Sequence, residues 1–268
     1  MKYMPMKPIK RGIKVRKCAD SGTGFVVNLQ VYTGKRQDGG TEHGLGFRVV
    51  RDLTETLSAK NHHVFCDNCF TSVELAKYLL TKNTYLCGTI RSNRKGFPKE
   101  LKVNEPAVKR LKVGESVLRR KNEMVATTWK DKRLVHFLST QSNPVGNDTV
   151  NRKQRDGTVV QVPSSPVVKS YNNNMGAVDR SDQMRGYYSC GRKSKKWWQY
   201  LFFFCVDVAI VNAHVIEIQV PNHRTRSFRL QSGVGPGFDR GLQQPYSFCN
   251  IKPFGGWPLA YSLLKRQM

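Results

Sequence analysis

His63-Val64-Phe65-Cys66-Asp67-Asn68-Cys69-Phe70-Thr71-Ser72 is a short apolar run that stops on an acid and then breaks into small and polar residues. A run this short and this apolar reads as a buried strand. Asp67 then stands at the strand end, rigidly aimed yet reachable by solvent. Thr71 or Ser72 can cap a following helix, whose Val73, Leu75, Ala76, Leu79 and Leu80 face the core. Upstream, Val49, Val50, Leu53 and Leu57 have helical spacing over 47–57, and downstream Tyr85-Leu86-Cys87-Gly88-Thr89-Ile90 reads as another strand. Strands and helices in this order predict an α/β fold.

Working outward, 12–18 alternates apolar and polar residues, Asp20-Ser21-Gly22 turns the chain, and 25–32 runs back as the second arm of a β-hairpin. Residues 1–97 are therefore expected to form the N-terminal part of a core. From 98 to 168 the character changes, and Ser116-Val117-Leu118-Arg119, 124–129 and 134–138 read as short strands split by charged turns. This predicts a β-rich insertion whose tail, 141–165, is an exposed linker because it is polar and punctuated by Pro144, Pro163 and the following Pro166. Asp179 to Met184 can open a helix, and 197–218 reads as one long apolar helix, so 169–220 is expected to be the C-terminal helical part of the core. That helix is nearly long enough to cross a membrane, but Asp207, Asn212, His214 and Glu217 argue for a buried core helix and no membrane. Of the adjacent Trp197 and Trp198, one is expected in the core. The stretch 221–268, punctuated by Pro and Gly, reads as a disordered or loosely attached tail.

Lys and Arg number 45 against 19 Asp and Glu in 268 residues, a formal net charge of +26. Such a balance favours a polyanionic partner, nucleic acid first. Arg91, Arg94 and Lys95, with Arg192, Lys193, Lys195 and Lys196 beside the two tryptophans, could track a phosphate backbone; a solvated basic face is the alternative. The N-terminal residues show no secretory pattern, and seven scattered cysteines suggest reduced thiols in an intracellular protein. Cys66 and Cys69 have half of a zinc spacing, with small apolar thiols as the plainer reading.

Asp179 and Asp182 are spaced i, i+3 and would project from one helix face. Together with Asp67 they could hold Mg²⁺, which prefers hard oxygen ligands. The alternative is structural: Asp67 caps a turn, and Asp179 and Asp182 favourably charge a helix N-terminus.

Several ordered motifs together resemble the piggyBac transposase family and its transposable-element-derived relatives. They are Cys66-Asp67-Asn68-Cys69-Phe70-Thr71-Ser72, Gly88-Thr89-Ile90-Arg91-Ser92-Asn93-Arg94, Tyr171-Asn172-Asn173-Asn174-Met175-Gly176-Ala177-Val178-Asp179-Arg180-Ser181-Asp182-Gln183-Met184, and Arg192-Lys193-Ser194-Lys195-Lys196-Trp197-Trp198. The resemblance spans about residues 2–217. It implies a ribonuclease-H-like (DDE transposase) core interrupted by a β-rich insertion. By resemblance Asp67 is the second catalytic aspartate, Asp179 the third and Asp182 the acid beside it, with Asp67 and Asp179 as ligands of Mg²⁺ or Mn²⁺. The family cuts DNA and joins the freed ends at TTAA targets.

The resemblance also implies a departure. The family's first catalytic aspartate lies on a strand upstream of the segment resembling Lys2-Tyr3-Met4-Pro5-Met6-Lys7-Pro8, so the core is expected to lack its first strand. Asp20, at a turn, is no substitute. That strand is central in such a sheet, and its neighbours, the hairpin and the strand at 64–66, are expected to show unpaired edges or to pair directly. Cys249 is the one cysteine in the tail, so the family's cysteine-rich end-recognition module is not expected. These features predict a truncated, transposable-element-derived nuclear protein that binds DNA, with homodimerisation open, and that does not cleave strands. The alternatives are an active transposase completed by an upstream segment or a partner, and a domesticated DNA-binding or chromatin interaction module.

Overall fold

The structure is a computed structural model that describes residues 2–3, 11–33, 44–141, 146, 148–154, 156–219 and 248–252. Two short strands, β1 (Lys2–Tyr3) and β2 (Arg11–Gly12), pair antiparallel at the start. The alternating segment then folds as the expected hairpin, β3 (Val15–Asp20) against β4 (Val26–Val31), with a register shift between Cys18 and Ala19. Asp20 closes its turn: Oδ2 accepts from the Thr23 amide at 2.8 Å and the Thr23 hydroxyl at 2.6 Å.

Helix α1 (Leu45–Thr54) leads through a single 3₁₀ turn to β5 (His63–Cys66), followed by α2 (Val73–Thr81) and β6 (Tyr85–Thr89), which lies parallel to β5. Ser72 is the cap of α2, its Oγ accepting from the Leu75 amide at 3.1 Å. Gly88 is obligatory where β5 and β6 meet, because a Cβ there would run into the Thr71 hydroxyl and the Cys66 carbonyl.

The short helix α3 (Pro106–Lys109) precedes β7 (Ser116–Lys121), β8 (Met124–Lys130) and β9 (Leu134–Ser139), an antiparallel meander. β9 pairs antiparallel with β6, so the β-rich stretch extends the core sheet. The linker expected over 141–165 is corrected: β10 (Asp148–Lys153) and β11 (Val159–Ser164) form a second hairpin. Its inward positions are few, Val150 and Val162 packing beside Trp129 and Val167, and its polar bonds do the rest. The indole of Trp129 donates to the Gly114 and Pro163 carbonyls, Arg152 pairs with Asp131, and Lys169 with Asp148.

Three helices follow: α4 (Pro166–Asn174), α5 (Ala177–Tyr187) and α6 (Trp197–Gln219). α6 buries one face, including Phe204, Val208, Val211 and Val215, rather than its whole circumference. By length and composition it could cross a membrane. Its Asp207 is nevertheless buried, accepting from Ser189 Oγ at 2.9 Å and the Cys190 amide at 2.8 Å. The expectation that one tryptophan is core is corrected, since Trp197 and Trp198 are 58% and 49% exposed. Asn212 blunts the edge of the sheet at β4, Oδ1 accepting from the Val26 amide and Nδ2 donating to its carbonyl, as a neighbouring strand would.

Within 221–268, residues 248–252 depart from the expected loose tail, and the rest of that stretch lies outside the described residues. They form β12 (Phe248–Lys252), which enters between β3 and β5. It runs parallel to β3, with Cys249 opposite Cys18, and antiparallel to β5, with Cys249 opposite Cys66. The two facing edges are thus neither unpaired nor joined to each other. Buried strand edges must find hydrogen-bond partners, and that requirement, more than any periodicity in the tail, accounts for the insertion. The eight-stranded sheet has the order β4-β3-β12-β5-β6-β9-β8-β7.

Helices cover both faces. Cys18, Val64, Cys66 and Leu86 pack with α1 and α2 on one side. On the other, Phe65 and Cys87 meet α4, Ala19 meets α5, and Val15 and Val26 meet α6.

Candidate functional site

The pleat brings the candidate acids to one end of the sheet and one face. Phe65 packs toward α4 and Cys66 toward α1 and α2, so Asp67, the next residue, returns to the α4 side. Across the sheet, Lys17 stands opposite Phe248, and Cys249 opposite Cys66, which puts Lys17, Phe248 and Asp67 in one row. Strands lie about 4.8 Å apart, so Lys17 and Asp67 are separated by about 10 Å of backbone. Over Lys17 lies α5, with Asp179 in its first turn and Asp182 one turn later.

Asp67 is part-buried and local bonding holds it. Its Oδ1 accepts from the Cys69 amide at 2.8 Å, and its backbone carbonyl accepts from the Phe70 and Thr71 amides and the Thr71 hydroxyl. Burial raises its pKa, opposed by the Cys69 and Phe70 amides and the Lys14 charge. The turn-capping role weighed from sequence is therefore real. It does not exhaust the residue, because the Asp67 charge also reaches Tyr171 on α4, whose phenol is bonded to Thr89 and pushed up to about 12, mainly by burial.

Asp182 is in ion-pair contact with Lys17, which is 0% exposed, and lies 3.9 Å from the Arg185 guanidinium. Burial raises the Asp182 pKa and lowers that of Lys17, each opposed by the other's charge. Asp179 acts on both, raising each. Sequence reasoning missed Lys17 because the alternation breaks there: residue 17 shares the inward face of Ile13 and Val15, where an apolar side chain is expected. It missed Tyr171 because α4 was hidden behind Pro166.

A two-ion centre requires carboxylate oxygens converging on one point, with room for retained water. The described donors do not fit one. No group of three or more His, Cys, Asp or Glu among the described residues could hold a metal ion. Asp182 is engaged by a lysine and an arginine, Asp67 lies across the row, and the middle position is Phe248. The expected Mg²⁺ or Mn²⁺ ligation by Asp67 and Asp179 is therefore not supported by this arrangement. Nor do Cys66 and Cys69 make half a zinc site, for Cys66 is buried and Cys69 exposed.

The basic residues divide. Arg94 and Lys95 line a cleft of about 1010 Å³ with Lys14, Arg16 and Lys77, opening beside Cys69 and the start of α2. Arg94 also clamps the loop after Asp67, donating to the Asn68 and Cys69 carbonyls at 3.3 and 3.0 Å. Arg91 is exposed. Arg192, Lys193, Lys195 and Lys196 are exposed on the segment before α6 and do not line the cleft.

Comparison with known proteins gives one consistent direction. The Transposase IS4 family model matches residues 1–214. Human PiggyBac transposable element-derived protein 5 is 26% identical over 240 residues, covering 85% of this chain and 44% of the relative. Human PiggyBac transposable element-derived protein 2 is 29% identical over 222 residues, covering 77% and 36%. The chain spans less than half the length of these relatives. Among solved structures, the cryo-EM structure of a piggyBac transposase synaptic complex with hairpin DNA aligns with a TM-score of 0.65 and 28% identity, over 81% of this chain and 44% of that one.

Proposed function

Because the chain belongs to the piggyBac transposase family, we propose that it is a transposable-element-derived DNA-binding protein of the nucleus that does not cleave strands. The observation that carries the reading is the row at the sheet end: Lys17 pairs with Asp182, Phe248 stands in the middle, and Asp67 lies beyond it. A site for metal-assisted cleavage concentrates negative charge; here a buried ammonium offsets it. The formal charge of +26 and the basic cleft support affinity for the phosphate backbone, which needs neither metal nor base sequence. We also read the order β4-β3-β12-β5-β6 as a ribonuclease-H-like core, with β12 in the place of the family's first strand but reversed in polarity.

The test combines anisotropy titration of labelled duplexes, with and without TTAA, in EDTA, with incubation of supercoiled plasmid in Mn²⁺. Binding to both duplexes and an intact plasmid are expected. Absence of binding at low salt, or nicking that Asp67→Ala abolishes, would overturn the reading.

One observation favours a second reading. β12 reaches the centre of the sheet from the far end of the chain, so a strand bearing a carboxylate could take its place and restore metal-dependent cleavage at TTAA. Asp67-dependent nicking on adding such a segment in trans supports that reading.

A further inference from the structure

We propose that Lys17 is the resident cation of the acid pair on α5, and that it closes Asp179 and Asp182 to divalent metals. A fully buried lysine is rare and is tolerated when its charge is paired. Lys17 is 0% exposed, on β3, and its Nζ contacts Asp182 Oδ1 while standing 5.6 Å from the centre of the Phe204 ring. The Arg185 guanidinium approaches the same ring at 5.1 Å and Asp182 Oδ1 at 3.9 Å. Two cations and one aromatic ring thus face Asp182, whose Oδ2 is buried without a hydrogen-bond partner, and the Arg185 guanidinium also lies 3.7 Å from the buried Asp207.

A divalent ion competing for that carboxylate meets three obstacles. It must displace an ammonium already tethered to the sheet, which sacrifices no translational freedom in staying there. It must approach Arg185 and Lys17, both of like charge. It must also shed water that Mg²⁺ gives up reluctantly, at a site that Phe204, itself 0% exposed, walls on one side. Removing the ammonium while keeping the shape eliminates the first obstacle and weakens the second. Lys17 is therefore a positioning and neutralising residue, and its removal should unmask metal affinity.

This inference rests on reading Asp179 and Asp182 as the acids of the site. Metal binding is measured without DNA, so its failure is separate from failure of DNA binding. Mn²⁺ is titrated into the full chain and followed by calorimetry, with circular dichroism checking the fold of each variant. The wild type should show no saturable site that Asp182→Asn removes. Lys17→Met should gain one, binding Mn²⁺ at least about tenfold tighter than the wild type, and Lys17→Met with Asp182→Asn should lose it. Lys17→Gln, which keeps a donor to Asp182, gives the same gain if Lys17→Met does not fold. A wild-type Mn²⁺ site dependent on Asp182, or a folded Lys17→Gln variant with no gain, overturns the proposal.

Discussion

His136 on β9 couples the meander to the core through one buried polar chain. Its Nδ1 lies 2.8 Å from Thr128 Oγ1, and the Thr128 hydroxyl donates to the Leu101 carbonyl at 3.0 Å. With that hydrogen already donated, Thr128 accepts from Nδ1–H. Burial lowers the imidazole pKa below its ordinary 6.5. The folded protein therefore takes up this proton at lower pH than the unfolded chain does. As pH falls below 6.5, the unfolded state holds more protons and stability is lost, by at most about 1.4 kcal/mol per unit of displacement. Urea midpoints measured from about pH 7.5 to about pH 5 should fall, and His136→Gln should flatten the part of that slope below the ordinary histidine value. An unchanged slope in the variant would assign the acid sensitivity to other groups. Residues of this kind mark the limit of sequence reading. Asp67 was legible because an acid ending an apolar run has few places to go. Lys17 was not, because α5 and α6, which cover it, lie far away in the chain.

At the scale of elements, β12 is the test of how the sheet is held. Asn250 stands opposite Ala19 on one side and Phe65 on the other. Asn250→Pro removes an N–H from the middle of the sheet and should cost about 2 to 4 kcal/mol. Amide exchange should rise at 17–20 and 63–66, the segments paired with β12. Removing 248–268 should expose both edges and produce aggregation at concentrations where the full chain is monodisperse. If exchange at β3 and β5 is unaffected by Asn250→Pro, β12 does not sustain the sheet. The elements that announced themselves were those with internal pattern: the β3–β4 hairpin, β5, α2 with its Ser72 cap, and α6. Those that did not are ordered by their neighbours. The β10–β11 hairpin is pinned by Trp129, Asp131 and Lys169, although Asp156-Gly157 was an available turn signal. β12 is ordered by two open edges that no local window contains.

For the whole molecule, the distribution of charge decides how DNA is met. The cleft with Lys14, Arg16, Lys77 and Lys95 belongs to the face covered by α1 and α2, whereas α6, which follows the 192–196 segment, packs on the opposite face. The two basic groups are therefore separate contributors rather than one stripe. Counterion release gives each neutralised phosphate a slope of about −0.9 in log K against log salt, so about five contacts would give about −4.5. Lys77→Glu with Lys95→Glu should reduce the magnitude of that slope by about 1.8 or more, as should Lys195→Glu with Lys196→Glu, and the two losses should add because the groups share no partner. Anisotropy titrations of one duplex at several salt concentrations measure all four proteins. A cleft double variant with the wild-type slope would move the DNA path to the 192–196 segment alone, and Arg94 would then matter only as the clamp on the Asp67 loop.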